Sequence, residues 1–250
     1  MTNVLLSGAN GFMGRAIASL AKSDPDIKIC AGIDINTVEY DDFPIYKTPE
    51  EFGGTCDAII DFSHVSAFDG ILNYAVKNKI PVIFATTGLS EEQKKAMFEA
   101  SKVSPIFYSA NMSVGVNLLI DLVKRATEVL QYNYDIEIVE KHHNRKLDAP
   151  SGTALAIADA IAETRENETE YMFDRHSVRR KRGENEVGIQ AVRGGTIVGE
   201  HDVIFAGHDE IIEIKHEALS REIFAAGALR AAKFMKGKPA GMYNMNDTLK

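Results

Sequence analysis

The hydrophobic positions fall into two regimes. Up to about residue 110, short unbroken apolar runs alternate with stretches of helical period. Val4-Leu5-Leu6, Ile27 to Ile35, Asp57 to Phe62, Pro81 to Phe84 and Pro105 to Tyr108 read as five strands. Between them, Met13, Ile17, Leu20 and Ala21 share one helix face, and a second helix is predicted from about Val65 to Asn78. A third opens at Ser90, where a serine followed three residues later by Gln93 has the capping-box arrangement. Strands apolar at nearly every position and separated by helices predict a doubly wound parallel sheet covered on both faces.

Beyond that point the period changes. Val116 to Leu130 is one long helix pattern. From Tyr134 to Val139, Ile136 and Ile138 alternate with Asp135 and Glu137. An Ala-rich helix is predicted over 151–164. Three alternating segments follow, Val187 to Val192, Thr196 to Phe205 and Glu210 to His216, parted by Gly-Gly and Gly-His turns. Alternation of this kind predicts a mixed or antiparallel sheet with one buried face, hence an α+β region. Ser220 to Met235 returns to a strong helix. The run Arg179 to Glu186 reads as a solvated, mobile loop.

Composition narrows the function classes. With 45% apolar and 26% charged residues among 250, the chain is ordinary for a globular protein. Its net charge of −8, from 28 basic and 36 acidic residues, argues against a nucleic-acid-binding surface. It also makes an anionic ligand look out of place at first sight. Cys30 and Cys56 are too few for a disulfide framework and read as reduced thiols. No apolar run approaches the ~20 residues of a bilayer span, and the opening Met-Thr-Asn shows no leader pattern. These observations predict a cytoplasmic protein without a membrane partner.

The first candidate chemistry lies between the first strand and the first helix. Gly8, Gly11 and Gly14 let the backbone turn tightly, and a helix start there offers N–H groups and a positive dipole end to a pyrophosphate. The spacing is Gly-x-x-Gly-x-x-Gly, so a glycine-rich helix start without a ligand is the plain alternative. Asp34, 20 residues beyond Gly14 at the end of the second strand, suits an adenosine ribose. Ile35 and Asn36 bring no cation for a 2′-phosphate, which favours NADH over NADPH. Ala85-Thr86-Thr87-Gly88 and Ser109-Ala110-Asn111-Met112 close the fourth and fifth strands, at the sheet edge where such folds bind ligands.

The second is the segment Glu140 to Ala154. It sets His142, His143, Lys141, Arg145 and Lys146 ahead of a helix opened by Pro150-Ser151-Gly152-Thr153. The helix start can bind a carboxylate, Lys146 can supply a point charge, and a histidine can move a proton near neutral pH. This suits a small dianion that undergoes proton transfer. A metal site completed by His201 or His208 lacks both paired cysteines and a His-Glu-x-x-His spacing. Ser151 as a nucleophile lacks the strand–Gly-x-Ser-x-Gly–helix setting. A solvated loop is the bland alternative.

These residues resemble the 4-hydroxy-tetrahydrodipicolinate reductases, also called dihydrodipicolinate reductases. The signature Glu-x-His-His-x-x-Lys-x-Asp-Ala-Pro-Ser-Gly-Thr-Ala is matched at every fixed position from Glu140 to Ala154. So are Gly-Ala-x-Gly-x-Met-Gly at 8–14, Asp-Phe-Ser at 61–63, Thr-Thr-Gly at 86–88, Ser-x-Gly-Val-Asn at 113–117, Ile-Val-Gly-Glu-His at 197–201 and Ser-Arg-x-x-Phe-Ala-x-Gly-Ala-Leu at 220–229. The resemblance implies a Rossmann-like dinucleotide domain from 1–113 and 221–250. It implies an inserted α+β domain at 114–220 for substrate binding and tetramer contacts, with closure between the two. It implies an oxidoreductase acting on a cyclic dicarboxylate in lysine and diaminopimelate biosynthesis.

The implied roles follow the matched positions. His142 and Lys146 are catalytic; His143, Ser151, Gly152 and Thr153 hold the substrate carboxylates; Gly8, Ala9, Asn10, Gly11, Phe12, Met13, Asp34, Ala85, Thr86, Thr87, Ser109, Ala110, Asn111 and Met112 hold NADH or NADPH, with no metal. Phe12 stands where the family often has arginine, and Met112 where an aromatic is common; both bear on cofactor choice. A dinucleotide sensor with a degenerate site is the rival reading, as is a reductase for a semialdehyde or sugar.

Overall fold

The structure, a computed structural model, describes residues 1–249. In chain order the strands and helices are β1 (Thr2–Ser7), α1 (Phe12–Ala21), β2 (Ile27–Ile33), β3 (Ile45–Tyr46), β4 (Ala58–Asp61), α2 (Phe68–Asn78), β5 (Val82–Phe84), α3 (Glu91–Ser101), β6 (Pro105–Tyr108), α4 (Val114–Leu130), β7 (Asp135–His142), α5 (Gly152–Thr164), β8 (Glu170–Met172), β9 (Glu186–Arg193), β10 (Gly199–Ala206), β11 (Ile211–Ala218), α6 (Glu222–Met235) and β12 (Gly241–Tyr243). The chain divides into two compact units, Met1–Val114 with Glu222–Lys250, and Gly115–Arg221.

The first unit is a seven-stranded, all-parallel sheet in the order β12-β6-β5-β4-β1-β2-β3. The unbroken apolar runs now have a physical reason, because successive side chains feed opposite cores. Val4, Leu6, Ala58, Ile60, Ile83 and Phe107 pack with Ile17, Ala18, Ala225 and Ala228 of α1 and α6. Leu5, Ile59, Val82, Phe84 and Ile106 pack with Phe68, Ile71 and Met97 of α2 and α3. β2 changes face midway. Ile29 pairs with Val4 but Ala31 with Leu5, so Cys30 is a bulged extra residue. Ile27 and Ile29 therefore join the first core, and Ala31 and Ile33 the second. Burial pushes the Cys56 thiol up to about 12 and also raises that of Cys30, so both stay protonated.

β1 and β4 are neighbours although β2 and β3 intervene in sequence, and the strand order reverses between them. Such a reversal opens a crevice at the carboxyl ends of the strands. The Ser90 capping box forms with both of its arms. β2 stops at Ile33, two residues earlier than the pattern predicts, because Asp34 begins a turn in which its carboxylate accepts from the Asn36 N–H.

The second unit is a five-stranded mixed sheet, β11-β10-β7-β9-β8. β10 runs antiparallel to both β7 and β11, and β7 and β8 run parallel to β9. Leu119 and Val123 of α4 and Ala154, Ile157, Ala158 and Ile161 of α5 cover one face through Ile136, Ile138, Val187, Ile189, Val203 and Phe205. The Arg179–Glu186 segment is a correction to the solvated-loop expectation. Arg182 bonds Glu137, Asp135 and the carbonyls of Ile136 and Glu186, while Arg180 pairs with Glu186 and Glu170. Arg179 and Lys181 match the expectation by standing exposed without such anchoring.

Candidate active site

The alternation along β7 places the chemistry. Ile136 and Ile138 point into the core, so Glu140 and His142 at the end of the strand face the same way, and Lys141 faces the other. Lys141 pairs with Glu200 at 2.9 Å, which removes it from the cationic cluster that the sequence suggests. The adjacent strands complete the polar end of the face. His201 of β10 lies opposite Glu140, and Arg193 of β9 opposite His142.

Glu140 is fully buried and serves three partners. Its Oε2 lies 2.6 Å from His142 Nδ1. Arg193 donates to both of its oxygens, at 2.7 Å each. The Ser151 N–H donates to Oε1 at 3.0 Å. Burial pushes the Glu140 carboxyl up, but Arg193, His142 and the Ser151 N–H outweigh it and hold it below the usual carboxylate range. Burial lowers the His142 pKa; Glu140 opposes this, and Lys146 and Arg193 add to it, so the ring is neutral near pH 7. Gly199 keeps the other edge of the ring clear, since a Cβ there would lie 3.1 Å from His142 Nε2.

Ser151 is the N-cap of α5, its hydroxyl accepting from the Ala154 N–H at 3.1 Å. The same hydroxyl lies 3.0 Å from His201 Nε2. A Cβ built on Gly152 meets nothing within 4 Å, so the first turn of α5 is open on that side. The His143 Nδ1 is buried without a hydrogen-bond partner, a polar atom fit for a ligand in this loop. Lys146 pairs with Asp148 at 2.8 Å. His208, in contrast to His201, is exposed beside Asp209. Among the described residues, no three His, Cys, Asp or Glu side chains come together as a metal site.

Burial, helped by repulsion from His142, lowers the His201 pKa to about 4 from 6.5. The unfolded chain therefore binds a proton at this residue below 6.5, and the folded one only below about 4. Stability contributed by the neutral ring is complete above pH 6.5 and falls with pH to pH 4, by roughly 3 kcal/mol in all. His201→Asn is expected to flatten the decline in unfolding free energy between pH 7 and pH 5 by urea titration. An unchanged slope contradicts this account.

In the first unit, the glycine turn separates into roles. Gly8, at φ +78°, has no room for a Cβ, which would lie 2.7 Å from the Phe62 carbonyl oxygen; at Gly14 a Cβ would lie 2.2 Å from that of Gly8. Both are required by the packing of the turn itself. Gly11 is the N-cap of α1 and brings no capping side chain. Ala9 is buried in the core and Met13 packs against it, whereas Phe12 is 69% exposed. Asn10 donates its N–H to the Asp34 carboxylate at 2.9 Å, which sets Asp34 beside the turn. Arg15, which the sequence pattern does not place here, bonds Asn10 and stacks 4.2 Å over Tyr40.

A pocket of about 210 Å³ at the ends of β4, β5 and β6 is lined by Ala85, Thr87, Ser109, Ala110, Asn111 and Met112, together with Phe62 and Phe224. Thr86 turns inward instead, donating to the buried Asp61 carboxylate at 2.5 Å. An uncapped helix start, a carboxylate at the turn and a pocket at the strand ends together fit a nicotinamide dinucleotide.

Comparison with known proteins agrees with both halves. The family description "Dihydrodipicolinate reductase, N-terminus" matches residues 2–112, and "Dihydrodipicolinate reductase, C-terminus" matches 115–249. A protein of Caldanaerobacter subterraneus subsp. tengcongensis named 4-hydroxy-tetrahydrodipicolinate reductase is 54% identical over 100% of this chain and 99% of its own. One of Clostridium tetani with the same name is 49% identical over 98% of this chain and 96% of its own. Among solved structures, a dipicolinate-bound dihydrodipicolinate reductase from Paenisporosarcina sp. TG-14 superposes with a TM-score of 0.84 at 20% identity, covering 98% of this chain and 99% of its own. A myo-inositol dehydrogenase from Corynebacterium glutamicum reaches 0.63 at 16% identity, covering 100% of this chain and 92% of its own, a likeness of fold alone. At such identity over its whole length, the chain belongs to the dihydrodipicolinate reductase family.

Proposed function

We propose that the chain reduces 4-hydroxy-tetrahydrodipicolinate to tetrahydrodipicolinate, with loss of water, in lysine and diaminopimelate biosynthesis. The observation that carries the site assignment is Glu140. One buried carboxylate ties a proton-transfer imidazole, His142, to the start of α5, where a substrate carboxylate can dock. The unit 115–221 is then the substrate unit, and the unit holding the glycine turn is the dinucleotide unit. The substrate class is a small cyclic dicarboxylate.

His143, Gly152 and Thr153 hold the carboxylates at the helix start, while the buried Ser151, its N–H given to Glu140 and its hydroxyl engaged by the Ala154 N–H and His201, caps the helix rather than touching the substrate. Lys146 balances the negative charge that spreads through the conjugated ring, with the α5 dipole aiding it. His142 moves the ring proton. The nicotinamide, when bound, supplies the hydride. Gly8 to Met13 and Asp34 hold its adenosine and pyrophosphate end, and Ala85, Thr87 and the turn at 109–112 its nicotinamide end, with Thr86 turned inward to brace the first of these turns on Asp61. Among the described residues, no helix is long and apolar enough to cross a membrane. A homotetramer in the cytoplasm is part of the same proposal.

NADH is the preferred cofactor. Asp34 presents a carboxylate where a 2′-phosphate would stand, and the nearby Arg15 is engaged by Asn10 and Tyr40. Steady-state kinetics are expected to give a lower KM for NADH than for NADPH. A tenfold preference for NADPH contradicts the assignment of Asp34. The function itself is tested in a bacterium deleted for its own reductase. Expression of this chain is expected to restore growth without added diaminopimelate, whereas a sensor with a degenerate site would leave the requirement in place.

A further inference from the structure

We infer that Glu140 is a positioning residue that fixes His142 as its Nδ1–H tautomer, making Nε2 the base that starts the loss of water. This rests on the reading of the site given above. Arg193 forks onto both Glu140 oxygens, and the Ser151 N–H adds a third donor to the carboxylate. A carboxylate so served carries no proton to give. The hydrogen on the 2.6 Å line between Glu140 Oε2 and His142 Nδ1 therefore belongs to the ring. A neutral imidazole protonated at Nδ1 has its lone pair on Nε2, the edge that Gly199 leaves clear.

The chemistry of the substrate gives that lone pair work before any hydride moves. In a 4-hydroxylated ring imine, the carbon between the imine carbon and the hydroxyl-bearing carbon holds an acidic hydrogen. Nε2 takes this proton, and the C–H electron pair forms the new carbon–carbon double bond. The carbon–oxygen bond breaks, and the hydroxide leaves as water with a proton from the Lys146 ammonium, which solvent reprotonates before the hydride step. Once the former hydroxyl-bearing carbon has been reduced, the neighbouring carbon takes its proton back from Nε2. Overall, one hydride and one proton enter and one water leaves. Elimination is thus a separable half-reaction that needs no cofactor. The charged and titratable groups around the His142 ring are Glu140 on β7, Arg193 on β9, His201 on β10 and Lys146 in the following loop.

Two readouts test this without the loaded enzyme. The ring ¹⁵N shifts of His142 in the wild-type protein are expected to show a protonated Nδ1 and a bare Nε2 at pH 7.5. In deuterium oxide without nicotinamide, the wild type is expected to wash deuterium into the substrate at that ring carbon, above the rate in buffer. Glu140→Gln should slow this by about 100-fold, Glu140→Asp should recover part of it, and NADH affinity should stay unchanged as the check on folding. The pH profile of the exchange is expected to rise with pH and level off below the usual histidine range, as a base kept neutral by burial requires. Exchange at the wild-type rate in Glu140→Gln overturns the inference, and so does a protonated Nε2 in the neutral wild-type ring. Exchange without any NADH oxidation would instead sink the proposed reduction and leave this inference standing.

Discussion

His142→Asn combined with Lys146→Met is expected to leave NADH affinity intact and to lower kcat by about 10⁴-fold or more. Positioned acid–base groups contribute about 10² to 10⁴ each, and a charge stabiliser of the Lys146 kind about 10² to 10³. The two act on one reacting ring, so their losses are not expected to multiply in full. Both residues belong to the unit Gly115–Arg221, whereas the glycine turn, Asp34 and the 210 Å³ pocket belong to the other. Fluorescence titration with NADH and stopped-flow turnover measure the two quantities separately. Equal loss of both would mean a folding defect and leave the assigned roles without support.

The second large effect is on stability. Gly227 lies in α6, and a Cβ there would stand 1.7 Å from the Met112 carbonyl oxygen, a backbone atom with nowhere to go. Gly227→Ala must move either the helix or the turn 109–112. Overpacking of this severity costs about 3 kcal/mol or more, and for a chain of this size that lowers Tm by roughly 6–12 °C. Because Met112 lines the pocket, KM for NADH should rise as well. Gly152→Ala is the matched contrast. Its Cβ meets nothing in the fold, and alanine suits the first turn of a helix, so Tm should hold or rise while KM for the substrate increases. Scanning calorimetry and steady-state kinetics on the pair separate a glycine the fold needs from one the ligand needs. Equal Tm values for Gly227→Ala and the wild type would contradict the packing account.

The parallel sheet was legible because its strands feed two cores at once, so runs such as Val4-Leu5-Leu6 stand out against helical period. β3, β8 and β12 escaped notice, being two or three residues long at sheet edges, too short for any period. The start of β10 at Gly199 rather than Thr196 follows from the turn at Gly195, whose φ of +48° no local pattern announces. The bulge at Cys30 is equally silent, because it is a property of two paired strands.

The site divides in the same way. The helix start at Ser151 and the proton chemistry of His142 are local signals, and the alternation from Ile136 onward already puts Glu140 beside His142. Arg193 and His201 reach the site only through strand register, which a single stretch of sequence does not encode. Alternation, applied one residue further, also removes Lys141 to the far face. The net charge of −8 is resolved by this placement. Arg193, Lys141 and Lys146 are each paired with a carboxylate, Lys146 with the exposed Asp148, so the site adds no surplus of cations and the α5 N-terminus supplies its positive dipole end.

The central claim is the reduction itself, and a coupled assay tests it most directly. Dihydrodipicolinate synthase supplied with its two substrates generates 4-hydroxy-tetrahydrodipicolinate in the cuvette, and loss of NADH absorbance is followed after this protein is added. The account predicts NADH loss that depends on the synthase, scales with the amount of this protein and yields tetrahydrodipicolinate by mass spectrometry. NADH that binds but is not consumed while the synthase runs would contradict it.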